Sequence, residues 1–134
     1  MAASPTPNFL ITPDAKVAAV STANTNRDGT GTIVDIITST PAGGFKLNEI
    51  VVQATNDPAD STVTIFLHNG TSYFLFDEID IGNPAAASTT LPGARFSRTY
   101  PNVVLPSGWK VAAAITVALT AGVCNVFCFG ADGT

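Results

Sequence analysis

Thr62-Val-Thr-Ile-Phe-Leu-His-Asn-Gly-Thr-Ser-Tyr-Phe-Leu-Phe-Asp-Glu-Ile-Asp-Ile81 is the stretch on which the fold turns. Val63, Ile65 and Leu67 face one way along it; Thr62, Thr64 and His68 face the other. That two-residue period is the signature of a strand. Asn69-Gly70 then predicts a tight hairpin, because both central positions of a type I′ turn need φ > 0. The return strand, Ser72 to Ile81, carries Tyr73 and Leu75 on one face and Phe74 and Phe76 on the other. A strand that is apolar on both faces is covered on both sides. One cover is a second sheet, and the other is a loop or another subunit.

Working outward, strand and turn signals alternate at short intervals. Upstream, Lys16 to Val20 is a short strand, and Asn24 to Gly31 is a polar loop. Thr32 to Thr38 is β-branched, and Pro41-Ala-Gly-Gly44 turns the chain. Phe45 to Thr55 is a strand with a bend, since its apolar positions change parity between Leu47 and Ile50. Downstream, Gly82 to Gly93 is a loop, and Arg95 to Val104 is a strand interrupted by Pro101. Trp109 to Leu119 alternates again, and Val123 to Phe129 closes the chain. No helical period persists beyond a turn or two. About eight antiparallel strands predict an all-β, jelly-roll-like β-sandwich. A seven-stranded immunoglobulin-like sandwich is the alternative, but Trp109 precedes both cysteines, which breaks the Cys–Trp–Cys order. Prolines 5, 7 and 13 predict an extended N-terminal arm over residues 1–14. The sandwich domain then spans 15–130 and a short tail 131–134.

The chain has 134 residues, of which 46% are hydrophobic and only 12% charged. Apolar content in excess of one small core points to surface buried in an assembly. The net charge is −4. From Leu47 to Ala94 there is no Lys or Arg, while Glu49, Asp57, Asp60, Asp77, Glu78 and Asp80 fall there. No basic stripe can be built from that stretch, so a nucleic-acid partner is not expected. Val111 to Gly130 is uncharged, but its Val, Ala, Thr and Gly content reads as a hairpin, so no membrane partner is expected either. Cys124 and Cys128 share one face of a strand about 13 Å apart, beyond the reach of a disulfide. Free thiols packed as small apolar groups are the expectation.

Few residues offer chemistry. Asn24-x-Asn26-x-Asp28-Gly29 has the oxygen spacing of a calcium loop, with Asp35 at the twelfth position. Asn at the first position and Asp in place of Glu at the twelfth favour a loop held by Asx-type hydrogen bonds instead. Asp77 and Glu78 point to opposite strand faces and cannot work as a catalytic pair. His68 is the sole histidine, with no zinc-type spacing around it. Ser107 lacks the nucleophile-elbow setting. Trp109, Tyr73, Tyr100 and Phe96 could form a sugar-binding platform, against which stands ordinary core packing. No catalytic residue, metal ligand or cofactor is assigned.

Four segments resemble a family of small structural proteins of tailed phages, some of them similar to head cement or decoration proteins. They are Ala23-Asn-Thr-Asn-Arg-Asp-Gly-Thr-Gly-Thr32, Leu47-Asn-Glu-Ile-Val-Val-Gln-Ala-Thr55, Ile65 to Ile79, and Leu105-Pro-Ser-Gly-Trp109. Together they cover most of residues 20–110, and the Asn-Thr-Asn-Arg-Asp-Gly-Thr-Gly run is the most specific. The last hairpin, bearing Cys124 and Cys128, departs from the family pattern in being more apolar. The resemblance implies a β-sandwich located in the virion. The expected role is a capsid cement protein, a dimer or trimer that clamps major capsid protein subunits together. Pro5, Pro7, Phe9 and Pro13 on the arm, Arg27 and Asp28 in the loop, and the Phe74/Phe76 face are the expected contacts. A carbohydrate-binding or adaptor module of a tail or fibre is the alternative.

Overall fold

The computed structural model describes residues 10–55, 60–82, 87–118 and 122–133. Eight strands follow one another: β1 (Leu10–Val20), β2 (Val34–Ile37), β3 (Phe45–Ala54), β4 (Ser61–His68), β5 (Tyr73–Gly82), β6 (Arg95–Leu105), β7 (Lys110–Ile115) and β8 (Cys124–Gly133). The chain first pairs like one long hairpin: β4 with β5, β3 with β6, β2 with β7 and β1 with β8, all antiparallel. The tip of that hairpin is the four-residue loop Asn69–Ser72 and not the expected two-residue type I′ turn. Gly70 holds φ +98°, where a left-handed backbone favours glycine, but Asn69 does not have a positive φ, and its Oδ1 instead closes the loop by accepting from the Thr71 and Ser72 N–H groups. Rolling the hairpin brings β3 against β8 and β4 against β7. Two four-stranded sheets result, in the orders β1-β8-β3-β6 (sheet I) and β2-β7-β4-β5 (sheet II). The protein is therefore a jelly-roll β-sandwich.

The core lies between the sheets. Sheet I contributes Phe45, Leu47, Ile50, Val52, Val126 and Cys128; sheet II contributes Val63, Ile65, Ile79, Val111 and Ile115. The parity change in β3 is a β-bulge between Leu47 and Glu49, seen against both neighbouring strands. The extra residue lets Phe45 and Leu47 face inward on one side of the bulge and Ile50 and Val52 on the other. Cys124 and Cys128 are buried free thiols.

Two strands are longer than the sequence reading. β1 begins at Leu10, so Pro13 stands in the sheet and not in an arm. β8 continues through Gly133, so residues 131–133 are strand and not tail. Proline breaks strands only where its missing N–H matters, and β1 is an edge of sheet I. Pro101 is accommodated in the same way, in β6 at the opposite edge of that sheet. Pro5, Pro7 and Phe9 lie outside the described residues.

The edge strands carry further marks. Register pairs Lys16 with Cys128, Arg98 with Ile50 and Asp77 with Ile65. Each long edge strand thus turns a charged residue toward the core side. The fourth edge, β2, has only four residues. Inward charges, prolines and short strands are the devices that stop sheets from joining edge to edge.

Candidate docking surface

The two sheets treat their outer faces differently. On sheet II, Thr64 and Phe66 of β4 and Ala112 and Ala114 of β7 point away from the core yet are buried. Their cover is the segment between β1 and β2. Ala23 bridges Ile115 on β7, with the Asn24 N–H donating to the Ile115 carbonyl at 2.8 Å. The chain then crosses to β5, where Arg27 pairs with Glu78 and Gly29 lies so close to Tyr73 that a Cβ would fall 2.6 Å from its carbonyl oxygen. Ile33 completes the small outer cluster with Phe66 and Tyr73. The strap covers the outer sides of β4 and β7 and reaches Tyr73, but the double cover expected for β5 is not found: Phe74 and Leu75 of that edge strand are exposed.

Within the strap, Asn24 is the organiser. Its Nδ2 donates to the carbonyls of Thr30 and Thr32 at 3.0 Å each, and its Oδ1 accepts from the Asn26 N–H at 3.0 Å. Asp28 accepts from both the N–H and the hydroxyl of Thr30. Those bonds hold the Asp28 carboxyl below its usual pKa. Asp35 belongs to β2, where it accepts from the Tyr73 hydroxyl at 2.7 Å and faces Lys110 Nζ at 3.4 Å. The calcium-like spacing is therefore used as an Asx-bonded loop, with Asp35 turned to other partners.

Sheet I has no such strap among the described residues. Register places Ala15, Val17 and Ala19 of β1 outward, beside Asn125, Phe127 and Phe129 of β8. Val17 is 53% exposed and Phe129 37%. The rings of Phe127 and Phe129 lie parallel, with centroids 5.8 Å apart. Val51 of β3, the register partner of Phe127, is buried. From Pro13 to Ala19 and from Asn125 to Ala131, no outward residue is charged. The charges on this face, Lys46, Glu49 and Arg95, sit on β3 and β6. A recess of about 350 Å³ opens beside Phe129, lined by Pro13, Asp14, Ala15, Asn48 and Gly130. Exposed apolar patches of this kind mark interaction sites.

The residues singled out from sequence do not form one surface. Phe74 is 55% exposed near the hairpin tip, whereas Phe76 turns in and packs on Tyr100 with ring centroids 5.3 Å apart. Phe76 sits at the register shift of β5, between Leu75, paired with Phe66, and Asp77, paired with Ile65. Arg27 and Asp28 shape the strap. Asp77 and Glu78 point to opposite faces: Asp77 takes Arg98 at 3.0 Å and the Tyr100 hydroxyl at 2.7 Å, and Glu78 takes Arg27. The Asp77 contacts tie β5 of one sheet to β6 of the other. Burial, and then Asp77, raise the Tyr100 pKa above its usual value. The four aromatics of the sugar-platform reading also part company. Tyr100 is buried, Trp109 and Phe96 pack on the core, and Tyr73 lies on the opposite side of sheet II.

The Val17, Phe127 and Phe129 surface was not singled out from sequence. Its signal was present: Val123 to Phe129 is apolar at both parities, as a central strand is. Which parity would lack a cover is a property of the strap's path, and no periodicity encodes that. Compared with known proteins, the chain matches no family model and no curated sequence.

Proposed function

We propose that this jelly roll is a structural subunit of a phage particle, a cement or decoration protein that stabilises contacts between major capsid subunits. The observation that carries the reading is the uncharged, exposed outer half of sheet I on a sandwich whose other outer face is covered over β4 and β7 by its own chain. A clamp also needs two docking surfaces, and Phe74 at the hairpin end supplies an apolar patch distinct from sheet I. Resemblance of the Ala23–Thr32 and Ile65–Ile79 segments to small tailed-phage proteins supports the virion as the setting. The mechanism is burial of apolar surface, at about 25 cal/mol per Å², repeated over many copies so that weak single contacts add up. No step of chemistry is involved.

Mass spectrometry of purified virions and of isolated heads, with copy number, tests this. Copies on the order of hundreds per head are expected from a lattice-binding protein. Absence from the particle overturns the reading, and a handful of copies confined to tails replaces it with an adaptor or fibre role.

A further inference from the structure

We propose that Asn69 is a self-modification site: the hairpin tip promotes its own deamidation, with the His68 imidazole as the base that takes the Gly70 amide proton. Asn69 is the only asparagine of the chain that is followed by glycine. Attack of a backbone nitrogen on the preceding asparagine side chain needs room at the attacking residue, and glycine has no Cβ to obstruct it. A Cβ at Gly70 would meet no atom within 4 Å, and residues 69–72 are exposed, so water reaches the tip freely.

Hydrogen bonds arrange the tip for this reaction. The Gly70 N–H donates to His68 Nδ1 at 3.1 Å, within the reach over which a general base takes up a proton. The Thr71 and Ser72 N–H groups donate to Asn69 Oδ1 at 3.0 and 3.1 Å. Two backbone donors on one carbonyl oxygen make an oxyanion hole: they polarise the carbon under attack and hold the charge that develops on the oxygen. His68 is held from two strands. Tyr73 of β5 meets its ring edge-on with centroids 4.5 Å apart. Lys110 of β7 is its register partner, and Asp35 of β2 faces that ammonium at 3.4 Å.

In the first step the Gly70 nitrogen loses its proton to His68 Nδ1 and bonds to Asn69 Cγ, while the carbonyl π pair moves onto Oδ1. The ring so closed consists of the Gly70 nitrogen and C, Cα, Cβ and Cγ of Asn69. The carbonyl then reforms, the Cγ–Nδ2 bond breaks, and ammonia leaves with the proton that His68 returns. Water opens the resulting imide at either carbonyl and leaves an aspartyl or isoaspartyl residue at position 69. Water is the sole co-reactant. The product puts a carboxylate on the same hairpin end as the exposed Phe74, and so makes an apolar tip acidic.

Incubation of the full chain at neutral pH, folded and unfolded in guanidinium chloride side by side, tests this. Peptide mapping reads aspartate and isoaspartate at position 69. The folded chain should convert at least about tenfold faster than the unfolded one. His68→Gln, which keeps a hydrogen-bond acceptor but not a base, should remove most of that advantage with unchanged circular dichroism. Across about pH 5 to 8, where histidine changes charge, the folded rate should level off once His68 is neutral, while the unfolded rate keeps climbing with hydroxide. Equal or slower conversion in the folded chain overturns the proposal. So does a folded His68→Gln chain that converts as fast as the parent, or a parent rate that climbs with hydroxide throughout. Should His68→Gln not fold, the folded-to-unfolded ratio and the pH profile of the parent decide. Every readout is on the purified chain, whereas the virion reading is tested on particles, so either can fail while the other stands.

Discussion

At the scale of single residues, three side chains illustrate what enclosure does to ionisable groups. Burial pushes the thiols of Cys124 and Cys128 up to about 11 and about 12. The reactive thiolate is then scarce at neutral pH. Neither cysteine should react with iodoacetamide in the native chain, and both should react in denaturant; labelling followed by intact mass checks this. Asp132 is the opposite kind of case. Its Oδ1 is enclosed with no hydrogen-bond partner, and Asp14 stands beside it. Burial first, and then the Asp14 carboxylate, raise its pKa. A carboxyl whose folded pKa lies above its unfolded value destabilises the fold once pH exceeds the folded pKa, and costs nothing below the unfolded one. Asp132→Asn should therefore raise Tm near neutral pH. The gain should vanish as pH falls through the ordinary carboxylate range, as thermal melts across pH will show.

At the scale of elements, the strap is the part with most to lose from one change. Asn24 alone organises its turn, and Gly31 packs against the Asn24 amide. Asn24→Ala removes the donor from the part-buried bonds to the Thr30 and Thr32 carbonyls, at a cost of about 1 kcal/mol. It should also expose Phe66, Ala112 and Ala114, so increased binding of a hydrophobic dye in the native state is the accompanying readout. The hairpin tip matters in another way. Every strand pair of the long hairpin is nested around Asn69-Gly70, so the β4–β5 closure is the most local of them in sequence. Gly70→Ala meets no atom within 4 Å but must hold φ +98°. It should cost on the order of 1 kcal/mol through backbone strain alone, and stopped-flow refolding should be slower while unfolding changes little.

At the scale of the molecule, the proposed docking role rests on the uncharged half of the outer face of sheet I. Association through such a strip depends little on ionic strength, because screening acts only on charges. Binding of the purified chain to heads that lack it should therefore change less than about threefold between low and high salt. A steep loss with salt would point to charged contacts such as Lys46, Glu49 and Arg95 as the attachment instead.

Much of the architecture was legible in the sequence. Alternation placed Val63, Ile65 and Val111 in the core. Asn69-Gly70 set the hairpin about which the rest is nested, and the parity change at Leu47/Ile50 marked the bulge. These are local facts of backbone period and turn geometry, and neighbouring residues suffice to state them. Tertiary structure alone decided that Pro13 lies in a sheet, because an edge position forgives a missing N–H and edges exist only once strands are ordered. It alone left Phe74 exposed near the hairpin tip and set Phe76 against Tyr100 of β6, a strand of the other sheet. It alone chose which outer face is bare, because the covering strap reaches sheet II through contacts with Ile115, Tyr73 and Glu78, far along the chain from the loop that makes them.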